Sequence, residues 1–286
     1  MERFLLRKAL AFKTKVSERQ HLSLFQAFCV EQGLQSLQEI TPGHLAAYAL
    51  SLKGRAVATR ESYLCTVKLF FSHLSDAQII LTNPAARLKI PRAGIMPTFP
   101  MSRGEVDKLL NAPDCETLLG LRDRAMFETL YATGMRVGEL IALKERDVDF
   151  AGELVCIQKG KGGKGRWTPL TGDALFLINA YAEKVRPKLL HGRVASPLFL
   201  TKMGKPLAPQ DVGRLCRRYA RETNMTRRVH PHLLRHTIAC HLLEEGASLF
   251  HVQKLLGHAD PATTQRYTAV TLSHIKTVHG RCHPRN

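Results

Sequence analysis

Apolar residues recur at helical spacing through the first ninety residues and predict helices joined by short turns. The predicted helices are 17–33, 41–52, one that carries 63–74, and a short one from 83. Ser17, with Gln20 in the capping-box position, marks the first N-terminus, and Gly33 marks the end of that helix. We therefore expect an all-helical N-terminal region.

The pattern breaks at residues 91–100, where prolines exclude a helix and predict an extended linker. Ser102 and Glu105 form a new capping box, and helical spacing then continues to Gly134. Further helices are predicted at 174–185, 210–222, 232–245, 248–256 and from Asp260-Pro261.

Two short segments depart from helical spacing. Residues 154–158 and 166–170 alternate like strands around a glycine-rich tip and predict a β-hairpin. A second small strand pair is expected at 198–200 and 205–207. The fold class is therefore mostly α with a small β-hairpin or sheet element.

Charge narrows the choice of partner. Among 286 residues, 42 Lys and Arg stand against 24 Asp and Glu, which gives a formal net charge of +18 and a pI near 9.9. Such a surplus indicates an anionic partner, usually nucleic acid. A basic enzyme without nucleic acid is the alternative, and membrane-surface binding ranks below both because no long basic amphipathic helix stands out.

No apolar run is long enough to span a bilayer, and the seven cysteines are scattered without a C-x-x-C pair. This pattern disfavours a disulfide framework and a zinc ribbon. We expect a soluble cytoplasmic protein with reduced thiols and no membrane partner.

The histidines near residue 236 invite a zinc interpretation, which the sequence disfavours. His232, His236 and His241 are spaced by four and five residues next to Cys240, but the segment lacks the Glu of H-E-x-x-H, and Arg235 would lie beside the metal. Structural roles are favoured for His236 and His241 and for three tail histidines: His274, His279 and His283.

The hairpin tip is rich in glycine and cations but does not have the order of a P-loop, G-x-x-x-x-G-K-[ST]. It is interpreted as a flexible basic finger for a phosphate backbone, with a plain solvated hairpin as the alternative. Its candidate DNA contacts are Lys159, Lys164 and Arg166.

Four segments together carry the strongest signal: YATGMRVGEL (131–140), KGKGGKGRWTPL (159–170), HLLRHTIACHLLEEGA (232–247) and LLGHADPATTQRYT (255–268). In this order and spacing they resemble the tyrosine recombinases, the phage-integrase and Xer-type family. The resemblance extends over nearly the whole chain. It implies the catalytic set Arg136, Lys161, His232, Arg235, His258 and Tyr267, with Tyr267 as the nucleophile.

The implied arginine and tyrosine roles suit transesterification of a DNA phosphodiester. Tyr267 would supply a phenol whose unperturbed pKa is about 10, so it needs cationic surroundings or a base. Arg136 and Arg235 would clamp the nonbridging oxygens, where negative charge grows in the transition state.

Lys161 would protonate the leaving 5′ oxygen, and His232 and His258 would donate hydrogen bonds or exchange protons. The 3′-phosphotyrosine ester conserves the energy of the broken phosphodiester bond, so no ATP, metal or other cofactor is implied. Glu139 is interpreted as orienting Arg136, with a surface salt bridge as the alternative.

The resemblance also implies the organisation of the chain. A helical N-terminal DNA (core)-binding domain would span 1–91, a linker 92–100, and a mixed α+β catalytic domain 101–286, closing as a C-shaped clamp around duplex DNA. In the N-terminal domain, Arg55, Arg60 and Lys68 are candidate DNA contacts. A tail with an apolar stripe would dock on a neighbouring protomer: Leu272, Ile275 and Val278.

We expect a homotetramer on two double-stranded recombination sites, alone or with a paralogous recombinase. The length leaves no room for an extra arm-binding domain, which favours Xer-like dimer resolution or transposon cointegrate resolution or integration. Two rivals remain: a DNA-binding module of the same fold that does not cut, and a metal-dependent nuclease built on the histidine cluster.

Overall fold

The computed structural model describes residues 12–92, 94, 99–158, 165–257 and 279–285. The chain divides into two compact units, Met1–Pro97 (unit 1) and Thr98–Asn286 (unit 2), and each has its own apolar core. The fold is mostly helical with one small antiparallel sheet, as predicted. Among the described residues, no helix is long and apolar enough to cross a membrane.

Unit 1 contains helices α1 (Phe12–Glu31), α2 (Pro42–Ser51) and α3 (Val57–Asp76). Helices α1 and α3 pack against each other and bury aromatic and aliphatic side chains between them. The Thr41 hydroxyl accepts from the backbone N–H of His44 and caps α2, where the sequence predicted a helix start.

Two predictions in unit 1 are wrong. Ser17 does not begin α1, which starts at Phe12, because no Gly or Pro stops the helix from propagating toward the N-terminus. The short helix predicted from Asn83 is a turn. The Asn83 side chain accepts from the backbone N–H of Ala85 at 2.9 Å, and this local bond competes with a helical one.

Among the described residues, unit 2 has eight α-helices with defined bounds, a helical stretch at 279–282, and three strands. The helices are α4 (Arg103–Asn111), α5 (Leu118–Thr133), α6 (Val137–Ala142), α7 (Gly172–Lys184), α8 (Arg186–Leu190), α9 (Pro209–Glu222), α10 (Pro231–Glu244) and α11 (Leu249–Leu256). The strands are β1 (Val148–Asp149), β2 (Leu154–Ile157) and β3 (Arg166–Pro169), antiparallel in the order β1-β2-β3.

The predicted hairpin is confirmed, and Ile157 pairs with Arg166 at its last described rung. The second predicted strand pair is reduced to a single bridge between Leu200 and Pro206. Proline has no N–H to continue a ladder, and a tight turn closes directly at Thr201, whose N–H donates to the Lys205 carbonyl at 2.8 Å. The short elements α6, α8 and β1 were not predicted.

Helix α5 is the centre of unit 2 and is buried along most of its length, with α7 and α10 packed against it. The Tyr131 hydroxyl donates to Nδ1 of His241 at 2.8 Å, and Nε2 of His241 donates to the Met101 carbonyl at 2.9 Å. Since a carbonyl only accepts, the His241 proton lies on Nε2. Burial lowers the pKa of His241, and its predicted structural role is confirmed.

The segment 279–285 also packs on α5. Nε2 of His279 donates to the Ala132 carbonyl at 2.7 Å, and Nε2 of His283 donates to the Tyr131 carbonyl at 3.3 Å. Both rings are buried, so their predicted structural role is confirmed. The other tail positions named above lie outside the described residues: His274, Leu272, Ile275 and Val278.

Helices α5 and α11 both end at a glycine in the left-handed conformation, as the sequence predicted. Gly134 has φ +59° and Gly257 has φ +65°. At Gly134 an added Cβ would also lie 2.5 Å from Cδ2 of Leu256. An added Cβ would therefore require the Leu256 side chain to shift within the packing of the two helix ends.

We expect Gly134→Ala to lower the free energy of unfolding by about 3 kcal/mol, from left-handed strain and overpacking together. Gly246→Ala is the matched control, because Gly246 has φ +87° and open space around its Cα; it should cost about 1 kcal/mol. Urea unfolding followed by the emission of Trp167, the chain's only tryptophan, measures both. Equal losses would contradict a packing role for Gly134.

Candidate active site

Three of the six predicted catalytic residues lie in the described part of unit 2. Arg136 precedes α6, and His232 and Arg235 lie in the first half of α10. The other sequence-predicted positions between and after these elements are outside the described residues: Lys159, Lys161, Lys164, His258 and Tyr267.

Arg136 occupies the N-cap of α6, two residues after Gly134. Its extended backbone turns the chain into the helix, and its N–H donates to Oε2 of Glu139 at 2.8 Å. Its Nη1 donates to Oε1 of the same carboxylate at 3.1 Å. The side chain is 30% exposed, and none of the described residues accepts from its Nε or Nη2.

The Glu139 carboxylate is buried and joins two arginines. Besides the two bonds from Arg136, Oε1 accepts from Nη1 of Arg166 at 3.1 Å and Oε2 from Nη2 of Arg166 at 2.9 Å. These four donors fill the roughly four acceptor positions of a carboxylate. Burial alone raises the pKa of Glu139, but the bonds from Arg166 and the Arg136 backbone outweigh it and lower that pKa.

Arg235 is held by the ends of two helices. Its Nη1 donates to the Gly134 carbonyl at 2.5 Å, and its Nη2 donates to the Leu256 carbonyl at 2.8 Å. Carbonyls at helix C-termini lack helical partners and carry partial negative charge, so they favour a cation. Burial, and then repulsion by Arg136, lower the pKa of Arg235 to about 10, so it stays charged at neutral pH.

His232 lies on the first turn of α10, three residues before Arg235, and its side chain is exposed. The N-cap of this helix is His230, whose Nδ1 accepts from the Leu233 N–H at 3.1 Å. Burial, and then the neighbouring His232 and Arg228, lower the pKa of His230. The capping role of His230 was not predicted.

The predicted DNA contacts differ in their surroundings. In unit 1, Arg55 is exposed and lies 5.3 Å over the Tyr63 ring, Arg60 is half-buried, and Lys68 donates to the Leu88 carbonyl at 3.4 Å. In unit 2, Arg166 is only 14% exposed and bonds to Glu139 and to the Leu255 carbonyl.

The histidines of α10 do not converge. Both ring nitrogens of His241 are already bonded to protein, and His236 is exposed, with Sγ of Cys240 3.7 Å from its Nε2. Within the described ranges, no three His, Cys, Asp or Glu side chains are grouped to hold a metal ion.

The resulting arrangement suits an anion. Glu139 bonds Arg136 and Arg166, and Arg235 lies near enough to interact electrostatically with all three side chains, so three positive charges and one negative leave two positive charges in a partly dry environment. Planar guanidinium groups match the oxygen geometry of a phosphate. The described side chains could therefore stabilise negative charge on a phosphoryl group without a metal.

Comparison with known proteins gives the following matches. Residues 101–274 match the family model described as "Phage integrase family". A "Tyrosine recombinase XerD" of Ralstonia nicotianae is 35% identical over 281 residues, 98% of this chain and 91% of the relative. The crystal structure of XerA recombinase is 26% identical with a TM-score of 0.52, covering 100% of this chain and 98% of its own. A lambda integrase tetramer bound to a Holliday junction is 20% identical with a TM-score of 0.67, covering 91% and 76%.

We expect Glu139→Gln to lower the free energy of unfolding by about 3 kcal/mol near neutral pH, because it leaves buried arginines without their anion. A carboxyl whose folded pKa is depressed stabilises above its unfolded pKa of about 4.3, and this contribution is lost as the pH falls through the folded pKa. The variant's deficit should therefore shrink in acid.

Urea unfolding followed by Trp167 emission at neutral and acidic pH measures this deficit. Glu145→Gln is the matched control, since Glu145 pairs with Arg186 but is 55% exposed and should cost less than about 1 kcal/mol. A deficit that does not change with pH would contradict a charged Glu139.

Proposed function

The chain belongs to the phage integrase family, the tyrosine recombinases, and on this premise we propose that it recombines two specific duplex DNA sites with Tyr267 as the nucleophile. Like the other members of this family, it is a DNA strand-exchange enzyme that acts through a phosphotyrosine intermediate and needs neither metal nor ATP. Site-specific DNA recombination is its general function. The residue roles, the assembly and the biological outcome form the proposal.

The observation that carries the residue assignment is the shared anchoring of Arg136 and Arg235. Gly134 contributes its carbonyl to Arg235 and stands two residues before Arg136, so one short stretch positions both cations. Arg136 keeps donors available, and Arg235 is charged at neutral pH where little water screens it. Such preorganised cations stabilise the transition state for phosphoryl transfer without reorganisation during the reaction.

Chain connectivity supports the remaining roles, which the family resemblance implies. Lys161 belongs to the stretch that joins β2 to β3, and β3 begins at Arg166, which bonds Glu139. His258 follows Gly257, whose preceding residue supplies a carbonyl to Arg235. We assign Lys161 as the acid for the leaving 5′ oxygen, and His232 and His258 as donors to the phosphate or proton carriers for the nucleophile.

A surface on α9 supports binding of duplex DNA by unit 2. One face of this helix carries four exposed arginines at i, i+3, i+4 and i+7: Arg214, Arg217, Arg218 and Arg221. Arg214 pairs with Asp211, and Arg218 pairs with Asp123. Within the described part of the chain, Arg217 and Arg221 have no carboxylate partner, which suits contacts to DNA phosphates.

We propose a homotetramer on two sites, alone or with a paralogous recombinase, in which the tail positions Leu272, Ile275 and Val278 contact a neighbouring protomer. Lambda integrase, a fold relative, has been solved as a tetramer bound to a Holliday junction. Likeness to XerD proteins over 98% of the chain favours dimer resolution over cointegrate resolution or integration.

The nucleophile is tested with a nicked duplex carrying the sequence that the protein protects in footprinting. The cut fragment diffuses away, so wild type should accumulate a denaturation-resistant 3′-phosphotyrosine adduct, in EDTA as well. Tyr267→Phe should bind this DNA and form no adduct. Tyr48→Phe, which removes a buried hydroxyl that has no hydrogen-bond partner among the described residues, should form it as wild type does.

A Tyr267→Phe variant that still forms the adduct would disprove the assignment of the nucleophile. Binding without an adduct in wild type would favour the non-cutting module, and cleavage lost only in EDTA would favour the metal-dependent nuclease.

We expect the double variant Arg217→Gln, Arg221→Gln to weaken DNA binding for all sequences and to lower the slope of log K against log salt by about 2, since each phosphate contact contributes roughly 0.9. Arg214→Gln, on the same face but paired with Asp211, should leave the slope unchanged. Fluorescence anisotropy over a salt series measures both. An unchanged slope in the double variant would exclude the arginine face of α9 from the DNA interface.

A further inference from the structure

Arg166 begins β3, directly after the glycine-rich tip in the chain, and each nitrogen of its side chain donates to an acceptor within the protein. Nη1 and Nη2 grip both oxygens of Glu139, and Nε donates to the Leu255 carbonyl at 3.0 Å. Each of its three nitrogens thus has a protein acceptor. Three of the five guanidinium N–H groups are thus used within the protein. The other two lie on a side chain that is only 14% exposed and is held by charge-assisted bonds to Glu139, so a phosphate would have little access to them.

The bonds from Arg166 to Glu139 also affect how Arg136 is positioned. The carboxylate has four donors, two from Arg166 and two from Arg136. Without Arg166, Glu139 would keep only the Arg136 bonds, and its side chain would be free to change rotamer within the space that the missing guanidinium leaves. Arg136 would then lose the fixed partner that orients its Nη1.

The bond from Arg166 to the Leu255 carbonyl holds the C-terminal end of α11. Leu255 and Leu256 are the last two residues of that helix, and their carbonyls accept from Arg166 and Arg235 respectively. A Cβ on Gly257 would lie 2.9 Å from Nη1 of Arg166, so the guanidinium packs directly against that glycine. The two arginines together hold the end of the helix that His258 follows.

The structure assigns Arg166 the role of a positioning residue, which orients Arg136 through Glu139 and fixes the end of α11 relative to the base of the hairpin, rather than a contact to DNA. One guanidinium joins three segments that carry proposed catalytic residues: Arg136, Lys161 and His258. This inference rests on the proposed function, because it concerns the same phosphoryl-transfer site.

The test compares Arg166→Gln with Arg186→Gln. Arg186 is a matched control: it is also mostly buried, donates to the backbone carbonyls of Ala195, Pro197 and Leu198, and pairs with Glu145, but none of its partners belongs to the site. Adduct formation is measured in a single turnover at saturating nicked DNA, together with DNA affinity over a salt series.

We expect Arg166→Gln to slow adduct formation by about 100-fold, the size of effect that a misplacement near 1 Å produces. Its DNA affinity and salt slope should match wild type. Arg186→Gln should keep the wild-type rate, even if it lowers thermal stability as much as Arg166→Gln does. A normal rate in Arg166→Gln with weaker binding and a salt slope reduced by about 1 would overturn the inference, because that is the behaviour of a phosphate contact.

Arg166→Lys keeps the inference testable if the Gln variant fails to fold. A lysine can serve a phosphate as a point charge but cannot reproduce the fork on Glu139. We expect slow cleavage in this variant, and full recovery of the rate would overturn the inference.

A double-mutant cycle with Glu139→Gln tests whether Arg166 acts on Arg136 through Glu139. If Arg166 acts through Glu139, the combined loss of rate is smaller than the product of the single losses, whereas independent effects multiply and would overturn that route. Absence of any adduct in wild type would disprove the proposed function, whereas a normal adduct in wild type and in Arg166→Gln alike would disprove only this inference.

Discussion

Unit 2 has to hold three guanidinium groups near one another before any phosphate is present, and the buried carboxylate of Glu139 makes this possible. Like charges repel strongly where water is scarce. Glu139 offsets one charge through four hydrogen bonds, and the helix-end carbonyls of Gly134 and Leu256 partly offset another. The remaining excess of positive charge favours an anion such as the phosphoryl group of the proposed reaction.

Stability and chemistry therefore depend on the same few contacts. Gly134 ends α5, leaves room for Leu256 of α11, and offers its carbonyl to Arg235. A side chain at this position would disturb the packing of two helices and the placement of a cation together. Because the ends of α5 and α11 lie close together and both hold Arg235, a change in core packing would directly alter the position of this cation.

Local signals were readable from the sequence because their partners are close along the chain. Ser102 caps its helix three residues on, and the glycines after α5 and α11 need only their own backbone. The prediction that a helix begins at Ser17 was wrong, because a possible capping residue does not end a helix that can extend further toward the N-terminus. The environment of Arg166 was not predictable, because its partners lie 27 and 89 residues away and an arginine beside a basic tip has the pattern of a surface cation. The four spaced motifs identified the family, but they contain no information about which cation is buried.

The docking of residues 279–285 on α5 has a consequence for the proposed nucleophile, Tyr267. Gly257 and His279 are both fixed to unit 2, so the stretch that contains Tyr267 is tethered at both ends. Tyr267 is ten residues from Gly257, which limits its reach to roughly 35 Å from that anchor. Two anchors within one unit set an upper bound on the distance between the Tyr267 phenol and the arginines of unit 2, and therefore a lower bound on the effective concentration of the phenol there. Residues 279–285 thereby limit the separation of the proposed nucleophile from the site arginines, although they lie well beyond Tyr267 in sequence.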